Sequence, residues 1–396
     1  VWHYQTTPGE TWDYTATQHI LLTDLEIAGE TRKVLLQAPK NGFFYVIDRT
    51  NGELISAEPY VDIVNWASHV DMQTGRPVET PDARVFDGKR ISLPSNAGAH
   101  NWPPMSYNPD TGLVYIPTMV FPIAFLEPTT ADYTEPGAGK WNTGFDRSAN
   151  ILPQMGTAEL DALIDESYTG QLIAWDPVNQ ERVWAQPMGR PNSGGTLTTA
   201  GGLVFNGGQN THLVASDAAT GKVLWKHDTQ TGPWAPPITY ALDGEQYIAI
   251  AVGFGGGFAS EGGAAAHAWR IPNISRVLVY KLGGEHELPP VRPDTRTMPE
   301  PAPVTADAAT VEHGMLVYHR HCAMCHGDSL RTGHINPDLR WSGKATHDIW
   351  QDIVLGGVLQ ARGRVSFADY LDAEDAEAIR QYVLSEANRV YKEQQK

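Results

Sequence analysis

AWDPVNQERVW (residues 174–184) can be laid over ASDAATGKVLW (215–225) without a gap. Each reads as a strand, a tight turn built from Asp and a TG-like or equivalent step, and a second strand that ends in Trp. YVIDRTNGELI (45–55) keeps the Asp and the turn with the Trp lost. A degenerate repeat of strand pairs with a recurrent Trp predicts propeller blades, the Trp filling the gap between neighbours. The competing interpretation is a β-sandwich in which such text arises by chance.

The surrounding sequence agrees with an all-β region from residue 1 to 283. Short strands are expected at FFYVI (43–47), QLIAW (171–175), HLVAS (212–216), QYIAIAV (246–252) and RVLVY (276–280), separated by Asp, Asn, Pro and Gly clusters. A Pro-rich stretch follows, and residues 284–304 read as a linker because Pro removes backbone donors and favours extended chain. From 305 to 396 the apolar spacing becomes helical, at 305–322, 345–357 and 372–391, around the motif CAMCH (322–326).

The whole chain has 396 residues, 41% hydrophobic and 19% charged, long enough for more than one core. Its net charge of -17 excludes the basic stripe that nucleic-acid binding needs, and leaves room for a basic redox partner. No run of apolar residues is long enough to span a membrane. The start, VWHYQTTPGE, has neither an initiating Met nor the layout of a secretion signal, which reads as a processed or truncated end. Both of the chain's two cysteines lie in CAMCH, so a disulfide scaffold is excluded.

CxxCH directly after a helix is the attachment signal for c-type haem: Cys322 and Cys325 form thioethers and His326 is the proximal iron ligand. A thioredoxin-like pair or half a zinc site would lack the immediate His or need further cysteines. Such a haem implies an extracytoplasmic, periplasmic setting. The helical region resembles cytochrome c, with Gly314 and Tyr318 before the motif and Ile379 and Tyr382 in the last helix suited to a close crossing. Cytochromes of this type commonly place a Met in the distal loop. Here GGVLQARGRVSFADYL (356–371) has Arg364 at that point, and no Met follows Met324. Arg is a very poor iron ligand, so the expectation is a five-coordinate iron, or one ligated by His334 or His347.

GETWDYTATQ (9–18), PKNGFFYVIDRTNG (39–52) and GAHNWPPMSYNPDTGLVYIP (98–117), in that order, with the repeats and the appended cytochrome, closely resemble the quinohaemoprotein alcohol dehydrogenases, which use pyrroloquinoline quinone (PQQ). The likeness runs over essentially the whole chain. It implies a fold of about half of an eight-bladed quinoprotein alcohol dehydrogenase-like β-propeller followed by a small all-α cytochrome c domain. It implies that Asp13 contacts a calcium ion and takes the hydroxyl proton of a small alcohol while hydride leaves for the quinone. Lys40 matches the cationic group beside the quinone oxygens, and Asn101 and Trp102 match positions at the cofactor's polar rim. Lanthanide-dependent relatives carry a second acid two positions after the base; Thr15 stands there, which favours calcium.

The resemblance further implies oxidation of an alcohol to an aldehyde or ketone, with electrons passing from quinol to haem c and on to an external acceptor, a small redox protein or a membrane quinone system. Without the resemblance, Asp13 is a turn former, Lys40 an exposed turn lysine and Trp102 propeller core. A complete eight-bladed propeller needs about forty or more residues per blade, so the chain reads as a carboxy-terminal portion lacking the amino-terminal half, which normally adds a disulfide, a stacking Trp and the rest of the calcium shell. The alternative is a haem-bearing electron-transfer or binding module whose degenerate propeller no longer holds quinone. GFGGGF (253–258) lacks the full dinucleotide pattern, and the pairs Asp161 with Asp165 and Glu374 with Asp375 read as solvated helix faces.

Overall fold

Strand pairs turned at an aspartate organise the first part of the chain. The computed structural model describes residues 1–84, 89–126, 157–189, 191, 194–207, 211–254, 271–292, 295–332 and 335–395. The first sheet runs β1 (Leu21–Ile27), β2 (Glu30–Gln37), β3 (Phe43–Asp48) and β4 (Leu54–Pro59), each antiparallel to the next. A ribbon of β5 (Ala67–Asp71) and β6 (Arg76–Glu79) follows, and β7 (Lys89–Ser92) later pairs with β10 (Ile123–Leu126). The second sheet joins β8 (Ser106–Asn108), β9 (Leu113–Val120), β11 (Thr169–Asp176) and β12 (Glu181–Gly189), with helix α1 (Thr157–Ser167) inserted before β11. The third is β13 (Thr196–Thr199), β14 (Leu203–Gly207), β15 (His212–Asp217) and β16 (Val223–Asp228), and the fourth β17 (Ile238–Leu242), β18 (Glu245–Val252) and β19 (Arg276–Tyr280).

The repeat has a physical basis. Asp176 Oδ1 accepts from the N–H groups of Val178 and Asn179, Asp217 Oδ1 from Ala219 and Thr220, and Asp48 Oδ1 from Thr50. Each turn then closes with an N–H four residues on, at Gln180, Gly221 and Gly52. The terminal Trp reaches the next sheet's turn: Trp184 Nε1 donates to Ala218 O, and its ring lies where a Cβ on Gly221 would stand. Trp2 covers Gly52 in the same way. In the first sheet the position of the Trp is taken by Ser56, and the turn it faces carries Gln180 at φ 56°, whose amide bonds Ser56. Thus the loss of Trp and the loss of Gly go together.

The helical region begins after residues 284–304, which carry no helix or strand among their described residues. Helix α2 (Ala308–His321) is capped by Asp307, whose side chain accepts from Thr310 N. One turn, α3 (Ala323–His326), follows, then α4 (Lys344–Asp348), α5 (Trp350–Val354) and the long α6 (Ala373–Gln394). Asp372 and Asp375 cap α6 reciprocally, so Asp375 has a structural use; it also bonds His313, while Glu374 and Asp165 are exposed. Helices α2 and α6 cross so closely that a Cβ on Gly314 would strike the Ala378 carbonyl, with the Tyr318 and Tyr382 rings 5.5 Å apart beside it. This is the crossing expected from Gly314, Tyr318, Ile379 and Tyr382.

Candidate functional site

Asp13 is presented by the two aromatics that flank it. Trp12 and Tyr14 are each 2% exposed and pack with Trp66 and Phe43. The Trp12 indole donates to Ala83 O and the Tyr14 hydroxyl to Pro94 O. With both neighbours rooted in the core, the residue between them is forced outward. The backbone adopts φ 63° at Asp13, a left-handed conformation that a non-Gly residue holds only when its surroundings fix it. Glu10 provides that fixing, since Oε2 accepts from the N–H groups of both Trp12 (3.0 Å) and Tyr14 (2.9 Å).

Lys40 comes to Asp13 from below. Its ammonium donates to Asp13 O at 2.9 Å and lies 3.3 Å from Oδ2; the lysine side chain is 8% exposed and the aspartate 61%. Neighbouring Asn41 is fully buried, bonding Thr6 O, Thr7 and Tyr45, and accepts the Trp66 indole N–H on its carbonyl. Gly42, at φ 93°, turns the chain against Val64 and Pro94. The lysine is therefore not a loose turn residue.

The loop from 95 to 104 packs on this base. Gly98 (φ 85°) leaves the space through which the Lys40 stem passes, and Ala99 N donates to Lys40 O. His100 is fully buried, with Nδ1 2.8 Å from Ala38 O and Nε2 2.7 Å from Pro103 O. Burial holds its pKa below the ordinary imidazole value, against the raising pull of the two carbonyls. Asn101 uses its amide within the loop, to Ala97 O and from Trp102 N, and the Trp102 ring is half exposed. Asn101 and Trp102 thus share the loop that locks Lys40, without a direct bond to Asp13 or Lys40 among the described contacts. Next to it, Gly195 packs against Pro104 and Pro236, and buried Trp234 keeps an indole N–H without a partner among the described residues.

Sequence reasoning missed Glu10, Gly98, His100 and Trp234. Gly98 and His100 lie in GAHNWPP and Glu10 in GETWDY, stretches already singled out, whereas Trp234 lies in a further Pro-rich turn, GPWAPP (232–237), that no motif marked. Among the described residues no cluster of three or more His, Cys, Asp or Glu could hold a metal, so Asp13 is not joined by a calcium shell from within them.

At the other site, Cys325 N and His326 N both donate to Cys322 O, so one helical turn sets Cys322, Cys325 and His326 on one face. Both thiols are free, Cys322 buried and Cys325 exposed. Burial raises the Cys322 thiol pKa to about 11. His326 Nδ1 lies 3.0 Å from Pro337 O, which fixes the ring and leaves Nε2 as the nitrogen that could take a metal. This constellation fits a covalently attached haem. Of the three distal candidates, Arg364 is half-buried, with its guanidinium 4.7 Å from the Phe367 ring centre. His347 stacks on Trp350, and His334 lies outside the described residues.

Known proteins match both parts of the chain. Residues 1–63 and 68–248 match the PQQ family described as "Glucose/ethanol/alcohol dehydrogenase, beta-propeller domain", and residues 309–383 match "Cytochrome C oxidase, cbb3-type, subunit III". The chain is 42% identical to quinohaemoprotein alcohol dehydrogenase ADH-IIG of Pseudomonas putida and 44% identical to ADH IIB of the same organism, covering 99% and 97% of this chain but 54% of each relative. The ADH-IIG structure superposes with a TM-score of 0.89 at 41% identity, covering 99% of this chain and 57% of that one. The Comamonas testosteroni quinohaemoprotein alcohol dehydrogenase gives 0.81 at 37% identity, covering 98% and 56%. The chain therefore spans about half the length of the relatives it matches. A chain that carries both the PQQ-type propeller sequence and the haem-bearing helices, in the order and along the length seen in these enzymes, belongs to the quinohaemoprotein alcohol dehydrogenase family.

Proposed function

We propose that this chain supplies the Asp13–Lys40 end of a PQQ-dependent alcohol dehydrogenase and the haem through which its electrons leave. The observation that carries this is the pairing of an exposed carboxylate, held outward by buried aromatics, with a buried ammonium 3.3 Å away, in a chain that also sets two thiols and an imidazole on one helical turn. The orphaned Trp234 indole N–H and the Lys40 ammonium are donors suited to a polyanionic quinone rim. Lys40, Asn101 and Trp102 would hold the cofactor. Bound PQQ supplies an electrophilic carbonyl carbon that accepts hydride from the alcohol.

The chain's own part is proton handling and positioning. Asp13 offers an oxygen to the substrate hydroxyl and takes its proton, while its φ 63° backbone, clamped by Glu10, prevents the carboxylate from turning back into the loop. Cys322 and Cys325 would carry haem c, with His326 as the proximal ligand. Calcium is the divalent ion that Asp13 would share with donors from an amino-terminal half, because the described residues do not complete a site. We take residues 1–283 as propeller, 284–304 as linker and 305–396 as the cytochrome c domain, in a periplasmic enzyme that passes electrons to an external acceptor. No helix among the described residues is long and apolar enough to cross a membrane.

The alternative reading is a haem module whose propeller no longer binds quinone. Titrating the haem-loaded chain with PQQ and calcium, then adding a primary alcohol, separates the two. Alcohol-driven haem reduction that is lost in Asp13→Asn, with PQQ still bound, is expected; failure to bind PQQ at all favours the haem module.

A further inference from the structure

We infer that His100 is a positioning residue: its ring Nδ1–H, donated to Ala38 O, holds the Lys40 segment and the Asn101–Trp102 loop in the register that receives the quinone. The inference rests on the reading of Lys40, Asn101 and Trp102 as residues that hold the cofactor, and it begins with backbone carbonyls that no strand satisfies.

Ala38 lies between β2, which ends at Gln37, and β3, which starts at Phe43, so its carbonyl stands outside the ladder. Pro39, the next residue, has no N–H, and Pro103 and Pro104 in the facing loop lack one too. Ala38 and Pro103 are both buried, so neither carbonyl can turn to water. A donor has to come from a side chain, and among the described residues His100 supplies it. Nδ1 lies 2.8 Å from Ala38 O and Nε2 2.7 Å from Pro103 O, in a residue with no exposed surface.

The two contacts differ in reach. Pro103 is three residues away in the same loop, whereas Ala38 is sixty-two residues away in the Lys40 segment. The Nδ1 bond is therefore the one that joins two parts of the site, and it requires a proton on Nδ1 whether or not Nε2 carries a second. Ala99 N donates to Lys40 O at 3.0 Å beside it, so the loop meets residues 38–40 at two adjacent points. The backbone of His100 serves a third segment, since its carbonyl accepts from Gln18 Nε2 at 3.0 Å, and Gln18 follows Asp13 by five residues. Gln37, next to Ala38, donates to Ala16 O and Gln18 O. Asp13, Lys40 and Asn101 thus arrive on three segments that meet at His100. A loop released from this junction holds the quinone-ready arrangement for only a fraction of the time, and affinity falls by that fraction.

The test compares three substitutions in the haem-loaded full chain. Asn places its amide nitrogen near the position of Nδ1 and Gln near that of Nε2, so His100→Asn keeps the bond to Ala38 O, His100→Gln keeps the one within the loop, and His100→Ala removes both. PQQ is titrated in the presence of calcium. His100→Gln and His100→Ala should bind it about tenfold more weakly, the loss of a donor to a buried carbonyl, while His100→Asn should stay within about twofold of the unaltered chain. Amide exchange of the peptide that holds Ala99 reports the same junction without any cofactor: it should quicken in His100→Gln and His100→Ala and stay slow in His100→Asn. The Asn and Gln pair decides the matter even where His100→Ala fails to fold. An unaltered chain that takes up no PQQ defeats the proposed function, and the exchange measurement still decides the role of His100. Exchange and PQQ affinity in His100→Gln equal to those of the unaltered chain overturn the inference. So does a loss in His100→Asn as large as that in His100→Gln, which is the result a histidine that merely fills the core would give.

Discussion

At the residue scale the site depends on positions that contribute no chemistry. Gly98 shows this most directly, because any Cβ there would stand 2.5 Å from Lys40 Cγ, at a backbone φ of 85° that L side chains avoid. Gly98→Ala should displace the lysine stem and destabilise the chain by about 1–3 kcal/mol. A thermal melt should show the lower midpoint, and a PQQ titration should show weakened binding; an unchanged affinity would mean that Lys40 does not need this path. Such dependence is poorly legible in sequence. WDY and KNG drew attention to Asp13 and Lys40, but nothing in the text announced that Glu10 holds two N–H groups or that His100 ties Ala38 to Pro103. Those are contacts across the fold, created by tertiary placement.

Elements, by contrast, were largely readable. The Asp-headed turn recurs because one carboxylate satisfies consecutive backbone N–H groups, a local device that leaves a local signature. It also makes an acid-linked prediction. Hydrogen bonds from Thr50 and the Arg32 guanidinium hold Asp48 down to a pKa of about 2. Since the folded value lies below the unfolded one, near 3.9, its stabilisation is present above about pH 4 and is lost as pH falls toward 2. Asp48→Asn should flatten the acid limb of the stability curve in that window, as followed by denaturant unfolding at stepped pH. Helix α1 was not foreseen, since its eleven residues lie between strands of one sheet and its apolar pattern is weak. The α2–α6 crossing was foreseen from Gly314. Gly314→Ala should cost about 1–3 kcal/mol, read as a lower melting point of the haem-loaded chain by Soret dichroism.

The whole molecule has an unfinished face. Strand β17 is exposed at every residue, and Ile238, Leu242, Val277 and Val279 are each more than half exposed on the last sheet, which among the described residues has three strands where three others have four. Apolar surface of this kind is suited to burial by further blades. In a chain spanning 54% of the relatives it matches, the amino-terminal half is the occupant our proposal requires. The propeller half would then lend Asp13 and Lys40, and the partner half the remaining calcium donors.

Alcohol-driven reduction of the haem tests this account most directly. The haem-loaded chain is to be co-expressed with the amino-terminal half of the Pseudomonas putida relative, supplied with PQQ and calcium, and mixed with a primary alcohol while the haem spectrum is followed. The account predicts reduction that requires PQQ and disappears in Asp13→Asn. Haem that stays oxidised with PQQ bound and alcohol present would contradict it.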